Sequence, residues 1–168
     1  MGFLKQLFEK KEKETMIQKS DILYSPVSGT VIPLSEVDDP VFSQEIMGKG
    51  VGIRPTEGKL YAPINGTVAT VFPTGHAIGI ETDEGVEVLL HIGIDTVSLN
   101  GKGFHKVVNQ GDRVNVGDLL VEFNSEEIKN AGLKDTTMML VTNQGDYTEV
   151  KEITMGDVQV GDELISLN

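Results

Sequence analysis

The feature of this 168-residue chain that most constrains its fold is an internal repeat. Residues 24–31 read YSPVSGTV and residues 61–68 read YAPINGTV, while GDRVNVGD at residues 111–118 returns as GDVQVGD at residues 156–162. In each Pro-x-x-Gly unit the proline fixes φ and the glycine accepts the positive φ that closes a turn. Two copies of each unit, set among short β-branched segments, predict an all-β chain with internal symmetry. We therefore expect a quasi-symmetric antiparallel β-sandwich or barrel with short helical turns.

Composition narrows the class of protein further. With 39% hydrophobic and 24% charged residues the chain has the make-up of a globular protein, and we predict a single domain over residues 20–168. The absence of cysteine excludes disulfides and catalytic thiols, and a net charge of -12 disfavours nucleic acid as a partner. No apolar run approaches the roughly 20 residues of a membrane span and no signal-peptide pattern is present, so we expect a cytoplasmic protein.

The first residues differ in character from the rest. We predict that residues 1–19 are a flexible tail and that residues 1–14 rest weakly on anionic lipid, which would place the protein at the inner face of the membrane. In the free protein we expect this tail to be disordered rather than helical, because the segment is short for a stable helix in water. Four apolar residues fall at the spacing of one helical face: Phe3, Leu4, Leu7 and Phe8.

Two of the three histidines, His76 and His91, lie in a predicted β-hairpin with a turn at residues 82–85. If residues 83 and 84 form the loop, His76 lies directly opposite His91, and directly opposed side chains share one sheet face about 5 Å apart. A bulge at Gly85 would instead shift the pairing by one residue and put the two rings on opposite faces.

Two facing imidazoles suit phosphoryl transfer. An unprotonated ring nitrogen is a nucleophile, and a neighbouring ring can donate a hydrogen bond to the charge that develops. A phosphoryl group otherwise needs only positioning. This chemistry requires that both rings be near each other and reachable from solvent. The third histidine, His105, we interpret as an exposed bystander.

Two short helices are predicted around this hairpin. Pro40 and the acids before it can open a single helical turn, and Asn124 can cap a second helix with Glu127 three residues later and a stop at Gly132. The first turn would bring apolar residues to the surface as a docking site. These residues are Val41, Phe42, Ile46 and Met47.

Four short motifs resemble those of a known family. They are DPVF at residues 39–42, FPTGHA at 72–77, VEVLLHIGIDTV at 86–97 and GKGF at 101–104. Together they resemble the glucose-type enzyme IIA of the bacterial phosphoenolpyruvate-dependent sugar phosphotransferase system, and the similarity runs from residue 22 to the C-terminus. The resemblance implies a phosphotransferase component that accepts a phosphoryl group from the carrier HPr and passes it to a cysteine on the IIB domain of a glucose-type sugar permease.

The same resemblance implies a role for each residue of the site. His91 would be the phosphorylated nucleophile, attacking through Nε2, and His76 its unphosphorylated partner. Thr74 would hold His76 in one tautomer. The Gly93 carbonyl would accept from His91 Nδ1-H and leave Nε2 free.

A partner-binding surface is implied around the histidines. Asp95 would meet an arginine of HPr, and Asp39 would do likewise on the rim. Regulatory target proteins are a further class of partner for this family, and the identity of the sugar lies with the permease. The apolar platform would consist of Val41, Phe42, Ile46, Phe72, Ile78, Leu89 and Val97.

A zinc-dependent, metallopeptidase-like hydrolase is the alternative that stays open. The carrier needs no cofactor, but His76 and His91 could be ligands of a zinc ion, as in lysostaphin-type peptidases. Catalytic zinc takes about three protein ligands and a water, and the positions where those peptidases place a third ligand hold Ile80 and Gly93. A carboxylate of a partner protein could complete the set. A biotinyl- or lipoyl-type carrier is disfavoured because neither Met-Lys-Met nor Asp-Lys-Ala occurs.

Overall fold

A computed structural model describes residues 21–168, which form antiparallel sheets with short helical turns. The predicted all-β sandwich is therefore confirmed. The predicted tail over residues 1–19, and its membrane contact through residues 1–14, lie outside the described residues. Among the residues described, no helix is long and apolar enough to span a bilayer.

Fourteen strands make up the described part of the chain. They are β1 (Ile22–Tyr24), β2 (Gly29–Pro33), β3 (Lys49–Pro55), β4 (Lys59–Tyr61), β5 (Gly66–Val71), β6 (Ala77–Glu81), β7 (Val86–Ile92), β8 (Phe104–Lys106), β9 (Arg113–Val114), β10 (Leu119–Phe123), β11 (Thr137–Gln144), β12 (Val150–Glu152), β13 (Gly156–Val158) and β14 (Glu163–Leu167). An eight-stranded sheet has the order β13-β2-β3-β11-β7-β6-β5-β9, and two three-stranded sheets have the orders β1-β14-β12 and β4-β10-β8.

The repeated turns are related by matching hydrogen bonds. The amide of Tyr24 donates to the carbonyl of Pro63 at 2.9 Å, and the amide of Tyr61 donates to the carbonyl of Pro26 at 2.8 Å. Each copy of one repeat thus binds the other copy reciprocally. The second pair of repeats is bound to the first pair at matching positions, because the amides of Ser25 and Ala62 donate to the carbonyls of Asp162 and Asp118, both at 2.8 Å. The internal symmetry predicted from the sequence is present in the backbone.

The central strand β7 separates two apolar clusters. Its alternate residues Val86, Val88, Leu90 and Ile92 belong to the large core. Leu89 faces the other way and packs against a smaller cluster, which includes Met138 and Leu140 of β11 and is capped by the helical turns after β2. Since side chains alternate along a strand, His91 points to the same side as Leu89. The histidine therefore lies on the outer face of the large sheet.

Two α-helices and two 3₁₀ turns complete the described structure: α-helices Pro40–Ser43 and Ser125–Asn130, and 3₁₀ turns Leu34–Glu36 and Thr96–Leu99. The Asp39 carboxylate caps the first helix by accepting from the Val41 amide at 2.9 Å. Asn124 caps the second by accepting from the Glu127 amide at 3.1 Å, and Gly132 follows its end at a φ of +80°. Both helices begin where the sequence predicts.

The predicted hairpin register, in which His76 lies opposite His91, is wrong by one residue. His91 pairs with Ala77 and Leu90 with Ile78. The cause lies in the turn, where Gly85 adopts a φ of +86° and belongs to the loop instead of being the strand partner of Thr82. This is the bulge at Gly85 that the sequence allowed as the alternative.

Candidate active site

His91 is held on the outer face of the large sheet with one ring nitrogen already engaged. Its ring is half-buried and lies 5.0 Å from the ring of Phe42, centroid to centroid. Its Nδ1 donates to the carbonyl of Gly93 at 2.8 Å, because a carbonyl oxygen can only accept. The neutral ring therefore carries its proton on Nδ1, and Nε2 keeps its lone pair.

Gly93 turns the chain so that its carbonyl meets the ring. Its φ is +78°, a region that favours glycine. A Cβ at this position would lie 2.3 Å from Thr96 Cγ2 and 2.9 Å from the carbonyl oxygen of Lys134. The acceptor for His91 Nδ1 is therefore a backbone group fixed by both conformation and packing.

His76 lies just before β6, and its ring is oriented by residues that precede it in the chain. Gly75, at a φ of +77°, turns the chain just before it, so His76 does not follow the alternation of the strand. The Thr74 hydroxyl hydrogen-bonds His76 Nδ1, which leaves Nε2 directed away from the threonine. Phe72 lies edge-on to the ring at 5.3 Å between centroids, and Phe104 at 6.5 Å.

The two imidazoles meet in spite of the shifted register. Their centroids are 5.0 Å apart and their planes are inclined by 80°. In a regular hairpin, a register shifted by one residue would put the two rings on opposite faces of the sheet. His76, however, lies in the turn before β6, outside the alternation of the strand, and its ring reaches the face that carries His91. The two rings are close, as predicted, but the turn before β6 brings them together and the strand pairing does not.

Burial keeps both rings neutral. His76 is only 2% exposed, so the requirement that both rings be reachable from solvent is not met. That requirement was too strict, because only the attacking nitrogen must be reached from solvent and the His91 ring is half-buried. Burial, followed by the proximity of His91, lowers the pKa of His76 to about 4. Burial also lowers the pKa of His91, opposed by its bond to Gly93 and by the Asp39 and Asp95 carboxylates. At neutral pH the pair offers a free Nε2 on His91 beside an uncharged His76.

Close packing against two glycines supports the turn that carries His76. A Cβ on Gly75 would lie 3.0 Å from Lys106 Cγ and 3.2 Å from Phe104 Cβ. A Cβ on Gly101 would lie 3.6–4.0 Å from backbone atoms of Thr74. The GKGF motif of the sequence thus packs against the turn and places Phe104 on the His76 ring.

An exposed apolar surface lies on the elements that hold the two rings. Of the platform residues predicted from the sequence, four are exposed, namely Val41, Ile46, Phe72 and Val97, and so is Met47. Leu89 is half-buried against the smaller cluster. Phe42 is buried in the smaller cluster with its ring 5.0 Å from that of His91, so the prediction that it lies at the surface is wrong.

Ile78 does not belong to this surface. It is fully buried in the large core, because the true register turns it away from His91. The prediction that it lines the platform is therefore wrong, and it follows directly from the wrong hairpin register.

The two acids predicted on the rim both lie near His91, since each of them acts on the pKa of that ring. Asp95 is exposed and follows β7, where it begins the 3₁₀ turn Thr96–Leu99 in a left-handed conformation. Asp39 is half-buried and also serves as the helix cap. A negative rim of this kind attracts a basic partner.

Comparison with known proteins places this site in a family. The chain matches the phosphoenolpyruvate-dependent sugar phosphotransferase system, EIIA 1, over residues 21–147. It belongs to that family. The glucose permease IIA from Mycoplasma capricolum is similar in structure, with a TM-score of 0.82 and 40% sequence identity over 86% of this chain and 93% of that one. The resemblance drawn from four short motifs is confirmed, and the chain is a phosphotransferase component of the sugar phosphotransferase system at the level of its family.

The described residues of this enzyme IIA offer no ligand set for a metal-dependent hydrolase. They contain no group of three His, Cys, Asp or Glu side chains that could hold a metal ion. His76 and His91 alone fall short of the three protein ligands that catalytic zinc takes. The zinc proposed at these two residues therefore finds no support in the side chains around them.

Sequence reasoning left three neighbours of the pair without a role. Phe104 contacts His76, Ala77 lies opposite His91 in the sheet, and Met138 of β11 pairs with His91 on its other side. Only Phe104 carried a signal, since it ends the GKGF motif. Ala77 depends on the hairpin register, which was predicted wrongly, and Met138 depends on the pairing of β11 with β7, for which no prediction was made.

We expect Gly93→Ala to destabilise this enzyme IIA by about 3 kcal/mol, from a strained positive φ and from overlap with Thr96 and Lys134. Urea unfolding followed by circular dichroism measures this cost. Gly85→Ala is the matched control, because Gly85 has a similar φ of +86° and a Cβ there would meet nothing within 4 Å, so only the backbone cost of about 1 kcal/mol applies. Equal losses in the two variants would contradict the packing argument.

Proposed function

We propose that this enzyme IIA carries a phosphoryl group on His91 between phospho-HPr and the IIB domain of a glucose-type sugar permease. The observation that supports this most strongly is the ring pair itself, with His91 Nδ1 bound to Gly93 and the rings 5.0 Å apart. A nucleophilic nitrogen with its other nitrogen fixed is what a histidine carrier requires. Transfer of a phosphoryl group uses both the fixed Nδ1 proton of His91 and the nearby ring of His76.

In the accepting step, the lone pair of His91 Nε2 attacks phosphorus in line with the donor nitrogen. A new N–P bond forms on His91 as the N–P bond on the donor histidine breaks, and the electron pair of that bond returns to the donor ring. The Nδ1 proton of His91 stays hydrogen-bonded to the Gly93 carbonyl throughout, and that carbonyl offsets the positive charge that the ring acquires. In the delivering step the same events run towards a cysteine thiolate of the IIB domain.

His76 has the geometry to bind the phosphoryl oxygens. If its Nδ1 accepts from the Thr74 hydroxyl, its Nε2 carries the proton and can donate to a phosphoryl oxygen on His91. Because the ring is buried between Phe72 and Phe104, its hydrogen bond acts where little water competes. Burial of His76 thus suits a residue that meets the phosphoryl group rather than solvent.

Both partners would bind the same exposed surface. Val41, Ile46, Phe72 and Val97 supply an apolar centre, and Asp39 and Asp95 a negative rim for an arginine of HPr. Sequential use of one surface requires that the partners bind in turn. We also propose a cytoplasmic location, with residues 1–14 in weak contact with anionic lipid at the inner face of the membrane, and regulatory target proteins as further partners.

The direct test supplies purified protein with radiolabelled phosphoenolpyruvate, enzyme I and HPr. We expect label on the protein only when HPr is present, lost on brief acid treatment and retained in base, as for a phosphorus–nitrogen bond on histidine. Full labelling without HPr, or a label that survives acid, would contradict the proposed carrier.

A further inference from the structure

The phosphorylated site would hold a strong excess of negative charge. A phosphoryl group contributes about -1.5 to -2 at neutral pH, and Asp39 and Asp95 lie close enough to His91 to act on its pKa. His76 is buried and uncharged when the site is empty. Before a basic partner arrives, a cation from the chain itself would offset part of this charge.

Strand β8 brings a cationic side chain against the turn that carries His76. Phe104 and Lys106 are two residues apart on β8 and so point to the same side, while His105 points away. Both touch the turn, since a Cβ on Gly75 would meet Phe104 Cβ at 3.2 Å and Lys106 Cγ at 3.0 Å. The ring of Phe104 then lies against His76, and the stem of Lys106 lies across the residue before it.

The Lys106 ammonium forms no ion pair with any of residues 21–168. The side chain is exposed. Its Cδ would lie 3.7 Å from a Gly75 Cβ, so the apolar stem packs on the turn, as lysine stems do when their charged heads stay in water. A lysine held at its stem with an unpaired head next to an anion-binding site is suited to meet that anion.

We propose that Lys106 binds the phosphoryl group on His91 through its ammonium, and so holds the charged intermediate between the two transfers. This inference rests on the proposed phosphorylation of His91. The charged and titratable groups around the phosphoryl group would be His76 from the turn before β6, Asp39 at the cap of the helix Pro40–Ser43, Asp95 after β7 and Lys106 from β8. The Lys134 ammonium, also on this side, is already paired with Asp38 at 2.9 Å. Lys106 is the positive member of this set when His76 is neutral.

The test is a phosphorus NMR titration of the phosphorylated full-length protein, compared among wild type, Lys106→Met, Lys106→Arg and Lys151→Met. We expect Lys106→Met to raise the second pKa of the phosphoryl group by about half a unit at low salt, and the difference to shrink in concentrated salt. Lys106→Arg should keep the wild-type value. Lys151 lies on β12 in a different sheet, so its variant controls for the loss of one positive charge.

Three outcomes would overturn the inference. The first is an unchanged phosphoryl pKa in Lys106→Met. That result would mean that Lys106 does not contact the phosphoryl group and is free to contact a carboxylate of a partner protein instead. The second is an equal shift in Lys151→Met, which would point to net charge alone. The third is a shift in Lys106→Arg as large as in Lys106→Met. Absence of phosphate from His91 in the wild type would instead refute the proposed function, so the two failures are distinguishable.

Discussion

His91→Asn should reduce phosphoenolpyruvate-dependent labelling to background, a loss of at least about a thousandfold, because a covalent carrier without its nucleophile has no second route. Asparagine is the sharpest replacement at this position. Its amide NH₂ can take the place of Nδ1-H and donate to the Gly93 carbonyl, whereas nothing replaces the lone pair of Nε2. The variant should therefore stay folded while losing the label.

His105→Gln is the matched control for this experiment. His105 is exposed on β8, pairs with Glu122 in the sheet and points away from the ring pair. We expect it to be labelled like the wild type. Equal labelling of His91→Asn and wild type would contradict the assignment of the acceptor, and so would a loss of label in His105→Gln with His91 intact.

His76→Gln should still accept phosphate from phospho-HPr, within about tenfold of the wild-type rate, but deliver it to the IIB domain about 100-fold more slowly. The two rates should differ because the attacking nucleophile differs between the two steps. In the proposed acceptance the attacking imidazole is neutral and HPr would bring an arginine to Asp95, whereas in the proposed delivery an anionic thiolate would approach a phosphoryl group that is already negative. A dianion beside His76 raises its pKa above the value of about 4 in the empty site, so the ring can become cationic, and a glutamine amide cannot.

Rapid-quench measurement of both half-reactions, with excess partner protein, separates the two steps. Thr74→Val provides the intermediate case, since it removes the hydroxyl on His76 Nδ1 but keeps the ring. We expect its delivery rate to lie between those of the wild type and His76→Gln. Equal losses in acceptance and delivery for His76→Gln would contradict the separate roles of the two rings.

The fold was predictable where local turn chemistry determines it. The Pro-x-x-Gly repeats and their glycine partners led to a quasi-symmetric all-β chain, and the reciprocal bonds of Tyr24 and Tyr61 confirm it. The Asn124 cap was predictable for the same reason, since a capping side chain acts within three residues. Such signals are short-range and survive in a single sequence.

Strand register was not predictable, because it depends on one backbone angle. The turn at residues 82–85 fits either a two-residue loop or a bulge, and only the φ of Gly85 decides between them. Because this angle sets the hairpin register, Ile78 lies in the core and not on the predicted surface. The contact between the two rings consequently depends on the Gly75 turn rather than on directly opposed strand positions.

The candidate site was predictable in its residues and less so in its surroundings. The motif resemblance named His76, His91, Thr74 and the Gly93 carbonyl, and the structure brings these four together. It gave no sign that His76 is buried, because burial depends on Phe72 and on Phe104, which arrives from a distant strand. Long-range packing of this kind leaves no local pattern.

The central claim is that the Gly93 carbonyl fixes the His91 proton on Nδ1 so that Nε2 alone carries the phosphoryl group. Long-range proton–nitrogen correlation NMR on the phosphorylated, nitrogen-labelled protein tests it directly, because the two ring nitrogens of each histidine have distinct shifts. We predict phosphorus coupling at Nε2 of His91, a proton retained on its Nδ1, and no phosphorus on His76 or His105. Phosphorus on His91 Nδ1, or on either of the other two histidines, would contradict the account.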